Sequence, residues 1–151
     1  MPVIYLETLI DAPIETCFNL ARNVEAHVKS TEQTHERAVD GVTEGLLENG
    51  DQVTWEAVHF GIKQKLTAQI TAMHEPDWFI DEMVSGAFKS FVHTHRFEQI
   101  EHVTLMVDQF IYRSPLGLVG SLADALFLKK YMRKLLEERA RQLKIMAETA
   151  E

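Results

Sequence analysis

The stretch SLADALFLKKYMRKLLEERARQLKIMAE, residues 121–148, decides the fold. It holds no Gly or Pro and is rich in Leu, Ala, Lys, Arg and Glu, so it reads as one helix of about seven turns. Leu128, Met132, Leu135, Leu136, Ala140, Leu143 and Ala147 form a single apolar stripe, with Lys129, Lys130, Arg133, Lys134, Glu137 and Glu138 mainly outside it. The basic cluster reads as readily as a solvated face as anything functional. A stripe of this length must lie on an apolar surface of matching length, and the residues upstream supply one.

After Glu36 the hydrophobic period becomes two and stays so for roughly eighty residues. It breaks at Gly41, Asn49-Gly50, Gly61, Glu75-Pro76, Ser85-Gly86 and Glu101-His102. Regular breaks between alternating runs describe an antiparallel meander. Asn49-Gly50 is the sharpest break, because both central positions of a type I′ hairpin turn need positive φ. Over residues 62–74, Ile62, Leu66 and Ile70 take one face and Lys63, Lys65, Thr67, Gln69 and Thr71 the other, so one side of the sheet is wet. The dry side needs a cover, and the late helix is the element long enough to give it. At the other end of the chain, residues 3–10 read as a strand that Asp11-Ala12-Pro13 turns into a short helix carrying Ile14, Cys17, Phe18 and Ala21 on one side. A weaker helical stretch covers 24–29. Together these predict an α+β fold: a curved antiparallel sheet of about six to seven strands around a long C-terminal helix, with one or two short helices after the first strand.

The chain has 151 residues, 46% of them apolar and 25% charged, with 7 Gly and 4 Pro, the make-up of a single ordinary folded domain spanning 1–151. Fifteen basic against 23 acidic residues give a net charge of -8, which disfavours a phosphate backbone as partner, so nucleic acid is not expected. No run reaches the length of a membrane span and no leader pattern opens the chain, so a cytoplasmic protein is expected. Cys17, the single cysteine, excludes an internal disulfide or a cysteine-rich zinc site and reads as a small buried hydrophobe.

Several strings carry a resemblance. They are Asp11-Ala12-Pro13-Ile14-Glu15 with Phe18, Trp55-Glu56-Ala57-Val58-His59-Phe60, Asp81-Glu82-Met83-Val84-Ser85-Gly86-Ala87-Phe88, His93-Thr94-His95-Arg96-Phe97, and Ser114-Pro115-Leu116-Gly117-Leu118-Val119-Gly120 running into Leu122-Ala123-Asp124. With the element order, they make the whole chain resemble the START-like, or SRPBCC, superfamily of helix-grip domains, which includes polyketide cyclases and birch-pollen-allergen-like proteins. The similarity points to a bacterial subgroup of uncharacterised cyclase/dehydrase-like domains. The resemblance implies a START-like ligand-binding domain with an apolar cavity between sheet and helix that receives a lipid-like or polycyclic molecule. It implies no one reaction, since this architecture serves carriers, sensors and enzymes alike.

Alternation over residues 91–97 puts Phe91, His93, His95 and Phe97 on one face, the inner one. A two-residue turn at Glu101-His102 sets His95 opposite Asp108, Phe97 opposite Met106, His93 opposite Phe110 and Phe91 opposite Tyr112, whereas a bulge or longer turn shifts the register by one and moves Asp108 to the wet face. Two histidines and an aspartate on an apolar wall cost on the order of 1–3 kcal/mol per unsatisfied group, so they need a reason. Three readings stand. The groups satisfy one another and fix register; or they orient a ligand's polar head while Trp55, His59, Phe91, Phe110, Tyr112, Met132 and Leu135 hold its body; or His95 with Asp108, or His93, moves protons in a cyclase or dehydratase without a cofactor. Ligand binding without catalysis is the expected function.

His93 and His95 lie about 6.5–7 Å apart along a strand and could converge with His59 on one ion, but neither cysteines nor a compact carboxylate set reinforces the pattern, so no metal is expected. His27, His35, His74 and His102 are expected to face solvent. Asp81 and Glu82 point to opposite faces, with Glu82, beside Lys89, the candidate for the inside. Gly117 and Gly120 lack a phosphate-loop lysine and read as a bend. The same register leaves Leu105, Val107 and Ile111 on the outer face, a patch that could pair two copies or serve an interaction module.

Overall fold

The computed structural model describes residues 1–114 and 127–150. Strand β1 (Val3–Ile10) leads into helices α1 (Ile14–Ala21) and α2 (Val24–Ser30). Strands β2 (Arg37–Gly41), β3 (Gln52–His59), β4 (Ile62–His74), β5 (Trp78–Ser85), β6 (Ser90–Ile100) and β7 (Val103–Arg113) follow, and helix α3 (Lys129–Thr149) closes the chain. The Gly117–Gly120 bend and the first residues of the expected late helix fall outside the described residues.

All seven strands form one antiparallel sheet in the order β1-β7-β6-β5-β4-β3-β2, a meander whose first strand returns beside its last. Local chemistry accounts for the turns that hold. Phe60 and Gly61 both take positive φ between β3 and β4, and Glu101 takes φ 57° in the two-residue link between β6 and β7. That tight link fixes the β6–β7 register: Ile100 pairs with Val103, Phe97 with Met106, His95 with Asp108, His93 with Phe110 and Phe91 with Tyr112.

Asn49-Gly50 does not behave as expected. The pair lies in a ten-residue connection, 42–51, and only Gly50 has positive φ, so the type I′ hairpin is absent. Longer-range bonds govern this loop. Arg22 is buried and its Nη1 donates to the Leu47 carbonyl at 3.2 Å and to Glu48 at 3.0 Å, while Leu47 itself is buried and Gly50 N donates to the Ile70 carbonyl at 2.8 Å. These contacts hold the loop beneath α1.

Two apolar clusters cap the interior. One gathers Phe18 of α1 against Phe79 and Phe97, ring centroids 5.5 and 5.6 Å away in edge-to-face packing, together with Ala140, Leu143 and Ala147 of α3. Small residues here let the C-terminal half of α3 sit directly on α1, α2 and β1. Cys17 is buried in the same cluster, as expected. The other cluster joins Ile4, Leu6, Phe91, Phe110 and Tyr112, with Leu128, Met132 and Leu136 of α3 only partly buried against it. The N-terminal half of α3 therefore stands off the sheet.

The outer patch is smaller than the alternation suggests. Val107 is already 5% exposed within the chain, between its strand partners Glu7 and Arg96, and Leu105 and Ile111 are half-buried. Among the described residues no helix is long and apolar enough to cross a membrane.

Candidate functional site

Where α3 stands off the sheet, a cavity of about 570 Å³ remains. Trp55 and Phe91, Phe110 and Phe79 of the sheet, with Leu128, Met132, Leu135 and Leu136 of α3, form its apolar wall. The polar lining falls into two groups, set by strand parity and cross-strand register.

The first group is built on β5, β6 and β7. Inward alternation on β6 stacks the His93 and His95 rings, centroids 3.8 Å apart, and His95 lies flat on Phe79 at 4.1 Å. His93 Nε2 donates to Asp108 Oδ1 at 2.9 Å. His95 Nε2 donates to Asp81 Oδ2 at 2.6 Å, and its Nδ1 lies 3.4 Å from Asp108 Oδ1. The four side chains thus form one chain of contacts, Asp81–His95–Asp108–His93, on a wall otherwise made of rings.

His95 lies between two carboxylates, hydrogen-bonded through Nε2 to Asp81 and with Nδ1 within ion-pair distance of Asp108. Burial alone would push it down, but the Asp108 and Asp81 carboxylates outweigh burial and hold it above the ordinary histidine range. His93 goes the other way, held below the ordinary histidine range by burial and by the charge of the neighbouring His95. Burial would raise Asp108 and Asp81, yet hydrogen bonds and charge from the histidines hold both below the usual carboxylate range.

The second group lies toward β3 and α2. His27 Nε2 lies 2.6 Å from Glu36 Oε1, and its ring stacks on Trp55 with centroids 3.9 Å apart. His59 Nδ1 and the Tyr131 hydroxyl are 2.7 Å apart, tying β3 to α3. Burial keeps His59 below its ordinary value. Arg139, 7% exposed, donates from Nη2 to the Ala21 carbonyl at 3.0 Å and also lines the cavity.

The residues read from the sequence divide accordingly. Trp55, His59, Phe91, His93, His95, Phe110, Met132 and Leu135 line the cavity. Asp108 sits behind the histidines at 2% exposure, and Tyr112 is fully buried against Phe88 and Phe110, supporting the wall from outside. His59 is not part of the His93–His95 cluster. His35, His74 and His102 are exposed, but His27 is not: it lines the cavity. Asp81, not Glu82, is the inward carboxylate of its pair, because Phe79 is buried inward and parity carries Asp81 with it. Trp78, Phe79 and Ile80 are all apolar, which hides that parity in the sequence. Glu36, Tyr131 and Arg139 had no local signal at all.

The architecture is that of a START/birch-pollen-allergen-like helix-grip fold, a seven-stranded antiparallel sheet wrapped against a long C-terminal helix. TTHA0849 from Thermus thermophilus superimposes with a TM-score of 0.79 at 20% identity, over 99% of this chain and 100% of that one. A START superfamily protein from Mycobacterium smegmatis follows at 0.73 and 14%, covering 97% of each chain. Ginseng major latex-like protein 151 from Panax ginseng gives 0.69 and 17%, again over 97% of each chain. No protein-family model and no curated protein matches the chain.

Proposed function

We propose that this chain binds one small hydrophobic molecule, lipid-like or polycyclic, in the cavity between the sheet and α3, its polar end toward the His93–His95 wall. The observation that carries the reading is the cavity itself: about 570 Å³ of space walled by aromatic and aliphatic side chains, with charged groups gathered at fixed points. Ligand sites of this kind combine an apolar body with few oriented polar groups, and their volumes fall in the range of roughly 300–1,000 Å³. A core of the same size in an ordinary domain would close, since interiors pack to crystal-like density. Here the bulky Phe91, Phe110 and Trp55 on one side and the stand-off of α3 on the other keep the gap open.

Native mass spectrometry of freshly purified protein tests the proposal, together with displacement of a bound apolar dye by long-chain and polycyclic compounds. One retained or displaceable molecule per chain supports it. A dye that does not bind, with no adduct in the spectrum, overturns it.

A further inference from the structure

We propose that Asp81, His93 and His95 form a binding site for one divalent transition-metal ion of the zinc, cobalt or ferrous type. One donor atom from each of the three lies within 4.8 Å of the other two, a grouping that no other set of histidines, cysteines and carboxylates matches among the described residues. The inference goes beyond ligand binding and does not depend on it.

The backbone makes the arrangement. Positions i and i+2 of β6 send both imidazoles to one face, and Asp81 enters from the neighbouring strand, where its Cα is paired with that of His93. Two imidazoles and one carboxylate suit borderline transition metals, whereas calcium and magnesium prefer all-oxygen sets. The sequence pattern weighed His59 as third ligand, but His59 is held by Tyr131, and Asp81 stands in its place.

Asp108 supplies what such a site needs behind its ligands. It is 2% exposed, accepts from His93 Nε2 and lies against His95 Nδ1. A carboxylate behind a metal-bound histidine fixes the ring orientation and leaves the opposite nitrogen for the ion. Here one buried carboxylate does so for both rings, leaving Nδ1 of His93 and Nε2 of His95.

Charge points the same way. The Asp81 and Asp108 carboxylates lie against the two imidazoles, a set that favours a cation among them, with the Arg139 guanidinium also within electrostatic reach of Asp81. Binding requires the rings to turn: they are stacked 3.8 Å apart with 28° between their planes, whereas donors on a tetrahedral ion stand roughly 3.3 Å apart with their lone pairs converging, so the Asp81–His95 contact opens from 2.6 Å as the imidazoles rotate toward the ion. All three ligands line the cavity, so its remaining coordination positions would be open to water or to a bound molecule.

The experiment is a titration of untagged, chelator-treated full-length protein with Co²⁺, followed by visible d–d absorption and by competition with Zn²⁺. The expected result is one tight equivalent per chain. Asp81→Ala and His93→Ala should each weaken it at least 100-fold, and Asp108→Ala roughly 10- to 100-fold. His74→Ala, at an exposed position, should leave it unchanged. Absence of a stoichiometric site in the wild type overturns the proposal whatever the variants do. So does a site retained at wild-type affinity by both Asp81→Ala and His93→Ala, each checked for fold by circular dichroism.

Discussion

Phe91 and Phe18 are both buried phenylalanines, 5% and 0% exposed, yet truncating them should have different consequences. Phe18 is enclosed by Phe79, Phe97 and the C-terminal half of α3. Phe18→Ala removes its burial and opens a new void, and such substitutions cost about 3–5 kcal/mol. Phe91 packs against Phe110 and Phe88, ring centroids 5.2 and 6.3 Å away, and also lines a space of about 570 Å³. Contacts absent there cannot be lost, and the vacated volume merges with space already empty, so only the transfer share of about 1.5–3 kcal/mol remains. In a domain of this length each kcal/mol moves Tm by about 2–4 °C, so the melting points should fall by roughly 10 °C for Phe18→Ala and roughly 5 °C for Phe91→Ala. Urea midpoints at constant m-value give the same comparison at 25 °C. Binding should invert the order: Phe91→Ala changes apolar-dye affinity several-fold, and Phe18→Ala leaves it within about twofold. Equal destabilisation by the two variants, with dye binding unaffected by Phe91→Ala, would refute an open cavity at Phe91.

Three further outcomes are expected. Asp108→Ala strips the carboxylate from two buried histidines and should lower urea-derived stability by about 3–5 kcal/mol; a loss under about 1 kcal/mol would show that the four-residue cluster is not energetically coupled. Glu36 is held below its ordinary carboxyl value of 4.5 because the charge and hydrogen bond of His27 outweigh burial, so its contribution is fully present above that value and lost as pH falls through the lower folded value. The stability advantage of wild type over Glu36→Gln should accordingly shrink between about pH 6 and pH 3, and a constant gap across that window counts against the pair. Gly41 has φ 75°, and a Cβ there would run into the Gln52 carbonyl oxygen, so Gly41→Ala should cost about 2 kcal/mol or more in chemical denaturation, an effect of a few tenths being the contrary result.

Much of the site was legible because its parts are local. Period-two alternation put Phe91, His93 and His95 on one face, and of the two registers open for β7, the two-residue link at Glu101-His102 is the one the structure takes, with His95 opposite Asp108. Asp81 was hidden by the apolar run Trp78-Phe79-Ile80, which gives alternation no contrast. The Asn49-Gly50 hairpin failed because Arg22 and Leu47, distant in sequence or pointing inward, decide the path of that loop.

Sequence alone determined the order of elements and the presence of a covering C-terminal helix, because each depends on periodicity within a few residues. Tertiary structure decided how far α3 stands from the sheet, and hence that a cavity exists at all. It also decided which hydrogen bonds the inward polar groups make. His95 faces Asp108 across the ladder, but its shortest bond is to Asp81 on the other neighbouring strand, while Asp108 takes its shorter bond from His93. Backbone register fixes which Cα atoms face each other. Rotamers, chosen by packing against rings such as Phe79 and by the need to satisfy every buried charge, fix which side chains meet.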